Sequence, residues 1–313
     1  MKIELENIYG GISTLEIVNN NEEANFITHN GTFHADEVMS TVFLLNKHKS
    51  IKLCRTREIS NNEAFIYDVG FGKFDHHQND FDKVRPNGVK YATCGLIWEA
   101  FGKDIINELG VENIDLLFES IEKNLVMDID RDDNGQTIDK EPSIKNITVP
   151  NIIGMYNHNW DELDTENKAF LDAVIFANNI FNNLISKMVA KEKARKIVEE
   201  KIEESENGIL NLDNYMPWKD IVLTSNKEKA KDIYYAVFPS KTGGYAVVAT
   251  PKESSSFELR KPFKEEWGGK TSEELVKLTG IKTFKFCHKN LFICSCLVKE
   301  DALLVAKKAL DIK

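Results

Sequence analysis

The residues best suited to chemistry begin at Thr28-His29-Asn30-Gly31-Thr32-Phe33-His34-Ala35-Asp36-Glu37. Imidazole and carboxylate together form a ligand set for a borderline or hard divalent metal. The apolar pair Phe26-Ile27 just ahead reads as the end of a strand. Behind the cluster, Val38, Met39, Val42, Phe43 and Leu45 recur at helical spacing. Two histidines and two carboxylates are therefore expected in a strand-to-helix turn. The pattern returns further on, where Phe65-Ile66-Tyr67 leads to Asp68-Val69-Gly70 and then to Phe74-Asp75-His76-His77-Gln78. A third acidic stretch, Met127-Asp128-Ile129-Asp130-Arg131-Asp132-Asp133-Asn134-Gly135, follows an expected helix.

One such turn alone would be ordinary solvated surface. Several of them, each after a strand or helix end, amount to more. Two adjacent metal ions need about six or seven ligands, with at least one carboxylate bridging them. His29, His34, Asp36, Asp68, Asp75, His76, His77 and the aspartates near 130 supply that number. The set lacks thiolate, which favours Mn2+ over Zn2+, with Mg2+ or another divalent ion also compatible.

The elements that must position these groups follow from the apolar pattern. Strands are predicted over 26–29, 51–54 and 64–68, and helices over 35–47, 92–101 and 114–126. Strands alternating with helices predict a mostly parallel sheet covered by helices. Ligands of such sheets bind beyond the carboxyl ends of the strands, where His29 and Asp68 fall. The first 25 residues read as one or two short strands, an edge hairpin or an arm. An irregular stretch is expected from the acidic run to about Trp160, then a long helix over 168–204. Past Gly208, apolar runs at Ile221-Val222-Leu223, 234–238, 245–249 and 291–293 read as strands, with helices over 272–279 and 300–310. The turn Lys241-Thr242-Gly243-Gly244 predicts a hairpin. The expected fold is thus α/β, a mostly parallel N-terminal sheet domain with a smaller α+β domain across a cleft. The expected division is a metal-binding catalytic domain at 1–186, a helical connector at 187–207 and a substrate-binding domain at 208–313.

Composition fits this and excludes other classes. Hydrophobic residues are 42% and charged residues 29%, as in globular rather than disordered chains. No apolar run reaches the roughly 18 residues of a membrane span, so no membrane partner is expected. Met1-Lys2-Ile3-Glu4-Leu5-Glu6 has no apolar core of a secretory signal. Five scattered cysteines, an odd number, fit reduced thiols in the cytoplasm. The formal net charge is -10, yet residues 241–313 hold 14 Lys and Arg against 9 Asp and Glu. That basic segment suits phosphate groups, while the acidic remainder suits a metal site. It also reads as a chance excess of surface lysine. The overall charge argues against long, tight duplex binding but not against an enzyme that works at an end.

Asp75-His76-His77 after the strand ending in Asp68 resembles the signature of the DHH phosphoesterase superfamily. The branch it is most similar to is the family of the melanocyte proliferating gene protein, whose members resemble metal-dependent 3′–5′ RNA exonucleases. The resemblance runs along nearly the whole chain. It includes the 28–34 motif, Gly95-Leu96-Ile97-Trp98, Asp130 with Asp133-Asn134-Gly135, Asn159-Trp160, Pro217-Trp218-Lys219, Arg260-Lys261-Pro262, Trp267 and His288. It implies His29 and His34 as ligands of one Mn2+, Asp36 and His76 as ligands of a second, Asp68 as the bridge and Asp130 as the last ligand. His34 stands where many superfamily members have aspartate. His77 would face substrate, and Asp75 would orient a histidine by accepting a ring N–H. Arg260, Lys261 and His288 match substrate-binding landmarks. The family's glycine-rich stretch after that histidine is replaced here by Lys289-Asn290-Leu291-Phe292-Ile293-Cys294-Ser295-Cys296. Among the tryptophans, Trp267 beside Gly268-Gly269 is the candidate for stacking on a base, whereas Trp98 reads as core.

The function expected is therefore a two-metal phosphodiester hydrolase, a 3′–5′ exonuclease on single-stranded RNA or short oligonucleotides. A small-molecule phosphatase or nucleotidase, or a pyrophosphatase-like hydrolase, is the alternative within the enzyme class. A catalytically silent, metal-dependent regulatory protein is the alternative outside it.

Overall fold

A computed structural model describes residues 1–60, 63–136, 147–162, 166–254 and 256–312. The chain is α/β and contains two sheets. It divides into two compact units, Met1–Val189 and Ala190–Lys313.

In the first unit, β1 (Lys2–Glu6) and β2 (Ile12–Val18) form an antiparallel hairpin at the sheet edge. Strands β3 (Phe26–Thr28), β4 (Ser50–Arg55) and β5 (Phe65–Ile66) complete the order β1-β2-β4-β3-β5. Every pairing beyond the hairpin is parallel, with Ile27 opposite Cys54 on one side and Ile66 on the other. Helix α1 (Ala35–His48) is buried over 35–46, because its apolar residues are too many for one stripe. It packs on α2 (Thr93–Asn107), where Phe43 meets Trp98 with ring centroids 4.9 Å apart. Trp98 is fully buried, as expected of a core residue. Helix α3 (Ile114–Ile121) runs through a π-helical turn at Glu122–Val126 into α4 (Met127–Asp133). A short helix, α5 (Val149–Gly154), lies in the stretch expected to be irregular, of which residues 137–146 fall outside the described residues. Helix α6 (Glu166–Glu204) is continuous and runs across the boundary between the units.

In the second unit, β6 (Ile209–Asn211), β7 (Tyr235–Pro239), β8 (Tyr245–Ala249), β9 (Phe284–Cys287) and β10 (Ile293–Cys296) form a sheet ordered β6-β7-β8-β10-β9. The β7–β8 hairpin turns through Gly243 and Gly244, at φ 94 and 71. Tyr235, Val237, Val247 and Cys294 face one core with α8 (Ser272–Thr279) and α9 (Lys299–Ala309). Ala236, Phe238, Ala246 and Val248 face another, with Val198 and Ile202 of α6 and Trp218. Ile221-Val222-Leu223, expected as a strand, lies instead in helix α7 (Lys219–Thr224). Three apolar residues in a row carry no period, and the buried Ile221 and Val222 suit a helix lying on a sheet equally well. Among the described residues, no helix is long and apolar enough to cross a membrane.

Candidate metal centre

Each element delivers one part of the site. Strand β3 ends at Thr28, so His29 is the first residue beyond its carboxyl end. His34 is the N-cap residue of α1, and its backbone N–H donates to Glu37 Oε2 at 3.0 Å. Asp36 and Glu37 thus sit in the first turn of α1, where the helix dipole favours negative charge. Asp68 follows β5 with a left-handed backbone, φ 57, a conformation that Asp tolerates better than most residues. Its N–H donates to Phe74 O at 2.8 Å, folding the loop back so that His76 and His77 return to the same place.

The turn carrying His29 and His34 is clamped from distant parts of the chain. Arg55, at the end of β4, donates to Gly31 O at 2.9 Å and pairs with Glu166 at 2.8 Å. Glu166 in turn accepts from Gly31 N at 2.7 Å. Asn157 holds Phe33 through both its backbone groups, at 3.0 and 2.8 Å.

The first turn of α2 is the second support. Its opening N–H groups have no partners within the helix, and Ala92 offers no side-chain cap. Carboxylates from elsewhere take that role. Thr93 N and Cys94 N donate to the two oxygens of Asp36, at 3.0 and 2.5 Å. Gly95 N donates to Asp130 Oδ1 at 2.8 Å, and Thr93 Oγ1 donates to Asp68 Oδ1 at 3.1 Å.

These constraints converge on His76. Its buried Nε2 lies 3.1 Å from Asp133 Oδ2 and 3.6 Å from both Asp36 Oδ2 and Asp68 Oδ1, yet it has no well-aligned hydrogen bond among the described residues. On the other side of Asp68, His29 Nε2 lies 3.3 Å from Oδ2 and 3.0 Å from Glu37 Oε1. Asp68 therefore addresses one histidine with each oxygen. Donor atoms group within 4.8 Å as His29, His34 and Glu37, as Asp68, His76 and His77, and as Asp36, His76 and Asp133. A buried imidazole nitrogen without a hydrogen bond, ringed by carboxylates, has the chemistry of a divalent-metal ligand.

The electrostatics follow from crowding. Burial, with Asp68, Asp133 and Asp130 nearby, pushes the Asp36 carboxyl well above its usual range. Burial alone would lower the His29 pKa, but hydrogen bonds to Asp68 and Glu37 outweigh it and raise it to about 10. Burial opposes ionisation of Asp133 as well, and the neighbouring His76 imidazole, 3.1 Å away, reverses the balance and holds it below the usual range. His77 Nδ1 bonds to Asp75 Oδ1 at 2.8 Å, which raises the imidazole pKa, while the side chain stays 54% exposed. Asp75 also accepts from Phe71 N and His77 N, so it orients His77 rather than His76.

The structure thus brings together His29, Asp36, Asp68, Asp75, His76 and His77. His34 is at the margin, its ring 62% exposed and 3.9 Å from Asp133. Asp130 groups instead with Asp36 and Cys94, within 4.8 Å, and its Oδ2 lies 2.7 Å from Arg85 Nη2, while Arg85 also binds Glu122 at 2.6 Å. The acidic group facing His76 is Asp133, one helical turn on, which sequence reasoning left unassigned. Spacing alone could not choose between two aspartates at i and i+3 of one helix. Glu37 was passed over too, since nothing local separates a capping carboxylate from a ligand.

The residues expected to hold substrate lie in the second unit. Arg260 Nη1 donates to three backbone carbonyls, those of Ala230, Lys231 and Ile233. Lys261 is partly exposed. His288 is partly exposed, and its Nδ1 accepts from Asn290 N at 3.0 Å. Trp267 corrects its expectation: it is 2% exposed and packs edge-on against Phe284, so its ring has no face free for a base. Among the described residues, the aromatics at full exposure are Trp160 and Phe257.

An α/β chain with histidines and carboxylates gathered beyond its strand ends defines a candidate metal-binding protein. The chain belongs to the MYG1 family: the model described as "Uncharacterised protein family (UPF0160)" matches residues 25–310. It is 32% identical over 316 residues to a MYG1 protein of Dictyostelium discoideum, covering 91% of this chain and 95% of that one. A MYG1 protein of Saccharomyces cerevisiae is 31% identical over 320 residues, covering 90% and 94%. The human protein named MYG1 exonuclease is 27% identical over 318 residues, covering 90% and 85%. No solved structure matches the chain.

Proposed function

We propose that this chain is a two-metal phosphodiester hydrolase of the DHH type, a 3′–5′ exonuclease on single-stranded RNA or short oligonucleotides. The observation that carries the reading is Asp68, whose two oxygens face His29 and His76 separately at 3.3 and 3.6 Å. That is the placement a bridging carboxylate needs. His29 and Glu37, with His34 at the margin, would hold one divalent ion. Asp36, His76 and Asp133 would hold the other. Manganese suits this set, which contains no thiolate among those residues. The bound ions supply Lewis acidity toward a phosphoryl oxygen and a nucleophile at neutral pH.

The chain's own groups do the remainder. Asp75 fixes the His77 ring and favours its protonated form, which presents a donor to a phosphate oxygen or a leaving group. The α2 N–H groups and Thr93 hold Asp36 and Asp68 in place before substrate arrives. In this reading residues 1–186 carry the chemistry, 187–207 connect, and 208–313 bind substrate through Lys261, His288 and the free part of Arg260. The human, rat, bovine and mouse relatives carry the name exonuclease. Five free, buried cysteines fit a cytoplasmic setting.

The test is a substrate panel with Mn2+: a short single-stranded RNA, a chromogenic phosphodiester and pyrophosphate. Metal-dependent release of mononucleotides from the 3′ end is expected, and Asp68→Asn should abolish it. Hydrolysis of pyrophosphate or a monoester in preference to RNA would move the assignment to a small-molecule phosphatase. Complete inactivity in a metal-loaded protein would leave a regulatory role.

A further inference from the structure

The second unit contains a cavity of about 620 Å³ that the metal centre does not explain. Phe238, Ala246, Val248 and Ile293 of the sheet line it. These belong to the face that α6 and Trp218 cover elsewhere. Two rings at the cavity remain accessible, Tyr215 at 54% and Phe292 at 36%. The volume lies in the range of pockets for small organic ligands, roughly 300–1,000 Å³.

Charge narrows the ligand. Lys219 and Lys241 line the same cavity, and the Lys241 amine lies 5.5 Å from the centre of the Tyr215 ring. Among the described residues neither lysine forms an ion pair. The carboxylate in the lining, Asp220, is already taken by Lys191 at 2.9 Å and by Ser254 at 3.0 Å. The cavity therefore combines accessible aromatic surface with a local excess of positive charge, two lysines against one carboxylate. A flat apolar body carrying an anionic group complements both. Position points the same way. The Phe292 ring is 4.5 Å from the ring of His288, a residue assigned to substrate above.

We propose that this cavity is a nucleotide subsite: it takes a base against Tyr215 and Phe292 and its phosphate on Lys241 and Lys219. The proposal rests on the nuclease reading and names how that enzyme would hold a nucleotide unit. Stacking on these aromatic rings tolerates any base, so the subsite would favour nucleotides over inorganic anions without strong sequence preference.

The test is calorimetric binding to the full chain in excess chelator, which removes any contribution from metal-held phosphate. The probes are 5′-AMP, 5′-UMP, adenosine and inorganic phosphate. Both nucleotides should bind, each at least about tenfold tighter than adenosine or phosphate alone. Tyr215→Ala should weaken AMP about tenfold, the scale of one lost base stack. Lys241→Ala should weaken AMP but leave adenosine unchanged. Both positions are exposed, so the variants should keep the wild-type melting temperature. Asp68→Asn should lose hydrolysis and keep AMP affinity. If wild type cleaves RNA while AMP fails to bind, or binds regardless of Tyr215 and Lys241, the subsite is wrong and the nuclease reading stands. If AMP binds as described while RNA is untouched, the nuclease reading fails alone. Self-association blocked by Tyr215→Ala, without nucleotide binding, would make the cavity an interface between copies and overturn the proposal.

Discussion

Gly95→Ala is the substitution whose consequence can be worked most directly from the structure. Gly95 is in the first turn of α2, where alanine would ordinarily gain about 1 kcal/mol of helix propensity. Here a Cβ would overlap Asp130 Oδ2 outright and come within 2.6 Å of Arg85 Nη2 and 2.9 Å of Asp130 Cγ. Neither partner is the loose end of a free side chain. Asp130 and Arg85 are 0% and 3% exposed, and Arg85 is also tied to Glu122. The methyl must therefore part a buried ion pair, a change that costs about 3–5 kcal/mol when one partner is lost. It also strains the Gly95 N–H bond to Asp130. After subtracting the propensity gain, the net loss is about 2–4 kcal/mol, a large share of a typical folding free energy of about 5–15 kcal/mol. At roughly 2–4 °C per kcal/mol for a unit of this size, melting should fall by about 4–16 °C. Thermal and urea unfolding would measure it. Gly154→Ala is the control, since nothing lies within 4 Å of the Cβ position there and little change is expected. A Gly95→Ala protein as stable as wild type would show that the Arg85–Asp130 pair does not brace α2 as described.

Arg55→Ala should destabilise the first unit by about 3 kcal/mol, since it leaves Gly31 O without its partner and the Glu166 charge with the Gly31 N–H alone; Arg55→Lys should recover little, because an ammonium cannot span both, and full recovery would refute the clamp. Asp133→Asn should weaken Mn2+ binding with little loss of stability, whereas Asp130→Asn should lose stability first; metal titration beside thermal melts would expose a reversed order. Partial cover by Phe26, Phe65 and Phe101, then Lys47, lowers the pKa of the otherwise exposed His48. The unfolded chain thus protonates first, and stability present above about pH 6.5 declines as pH falls through the lower folded value. His48→Gln should remove that decline, worth well under about 1 kcal/mol at this exposed ring, and an unfolding free-energy difference that does not change with pH would exclude it. Mn2+ at 100 times its dissociation constant should stabilise wild type by about 2.7 kcal/mol, and Asp68→Asn should lose that gain without backbone strain because Asn also tolerates φ 57; an unchanged metal-induced shift in Asp68→Asn would remove it from the site.

The parallel part of the first sheet was legible because βα alternation leaves a strong period, although β3 and β5 end one and two residues earlier than expected, at Thr28 and Ile66. His29 and Asp68 are expected to face one crevice because each reads as a strand end, and they lie 3.3 Å apart; Asp36 and His76 are singled out as ligands by the family resemblance. That Asp133 rather than Asp130 faces His76 depends on the direction in which α4 leans, and that follows a π-helical turn with no sequence signature. Ile221-Val222-Leu223 misled for a related reason: a run shorter than one helical turn cannot show which period it follows. Trp267 misled because a glycine pair beside an aromatic suggests an open loop, whereas here the ring fills a core beneath it. Arg55, Glu166 and Asn157 left no local trace at all. Their role depends on contacts between residues 24, 135 and 124 positions apart.

The same first turn of α2 explains how carboxylates that repel one another come to share a small volume. Asp36 comes from α1, Asp68 from the loop after β5, and Asp130 from α4. None is close to another in sequence, and ionised together they would push apart. Backbone N–H groups that the helix cannot use internally draw two of them in, and the Thr93 hydroxyl draws the third. A carboxylate oxygen that accepts one such bond keeps a second lone pair, so the same contacts that orient Asp36 and Asp68 leave them able to bind a cation. The support is incomplete, since burial and neighbouring charge still drive the Asp36 carboxyl upward. A divalent cation placed among Asp36, Asp68 and Asp133 would offset that residual repulsion.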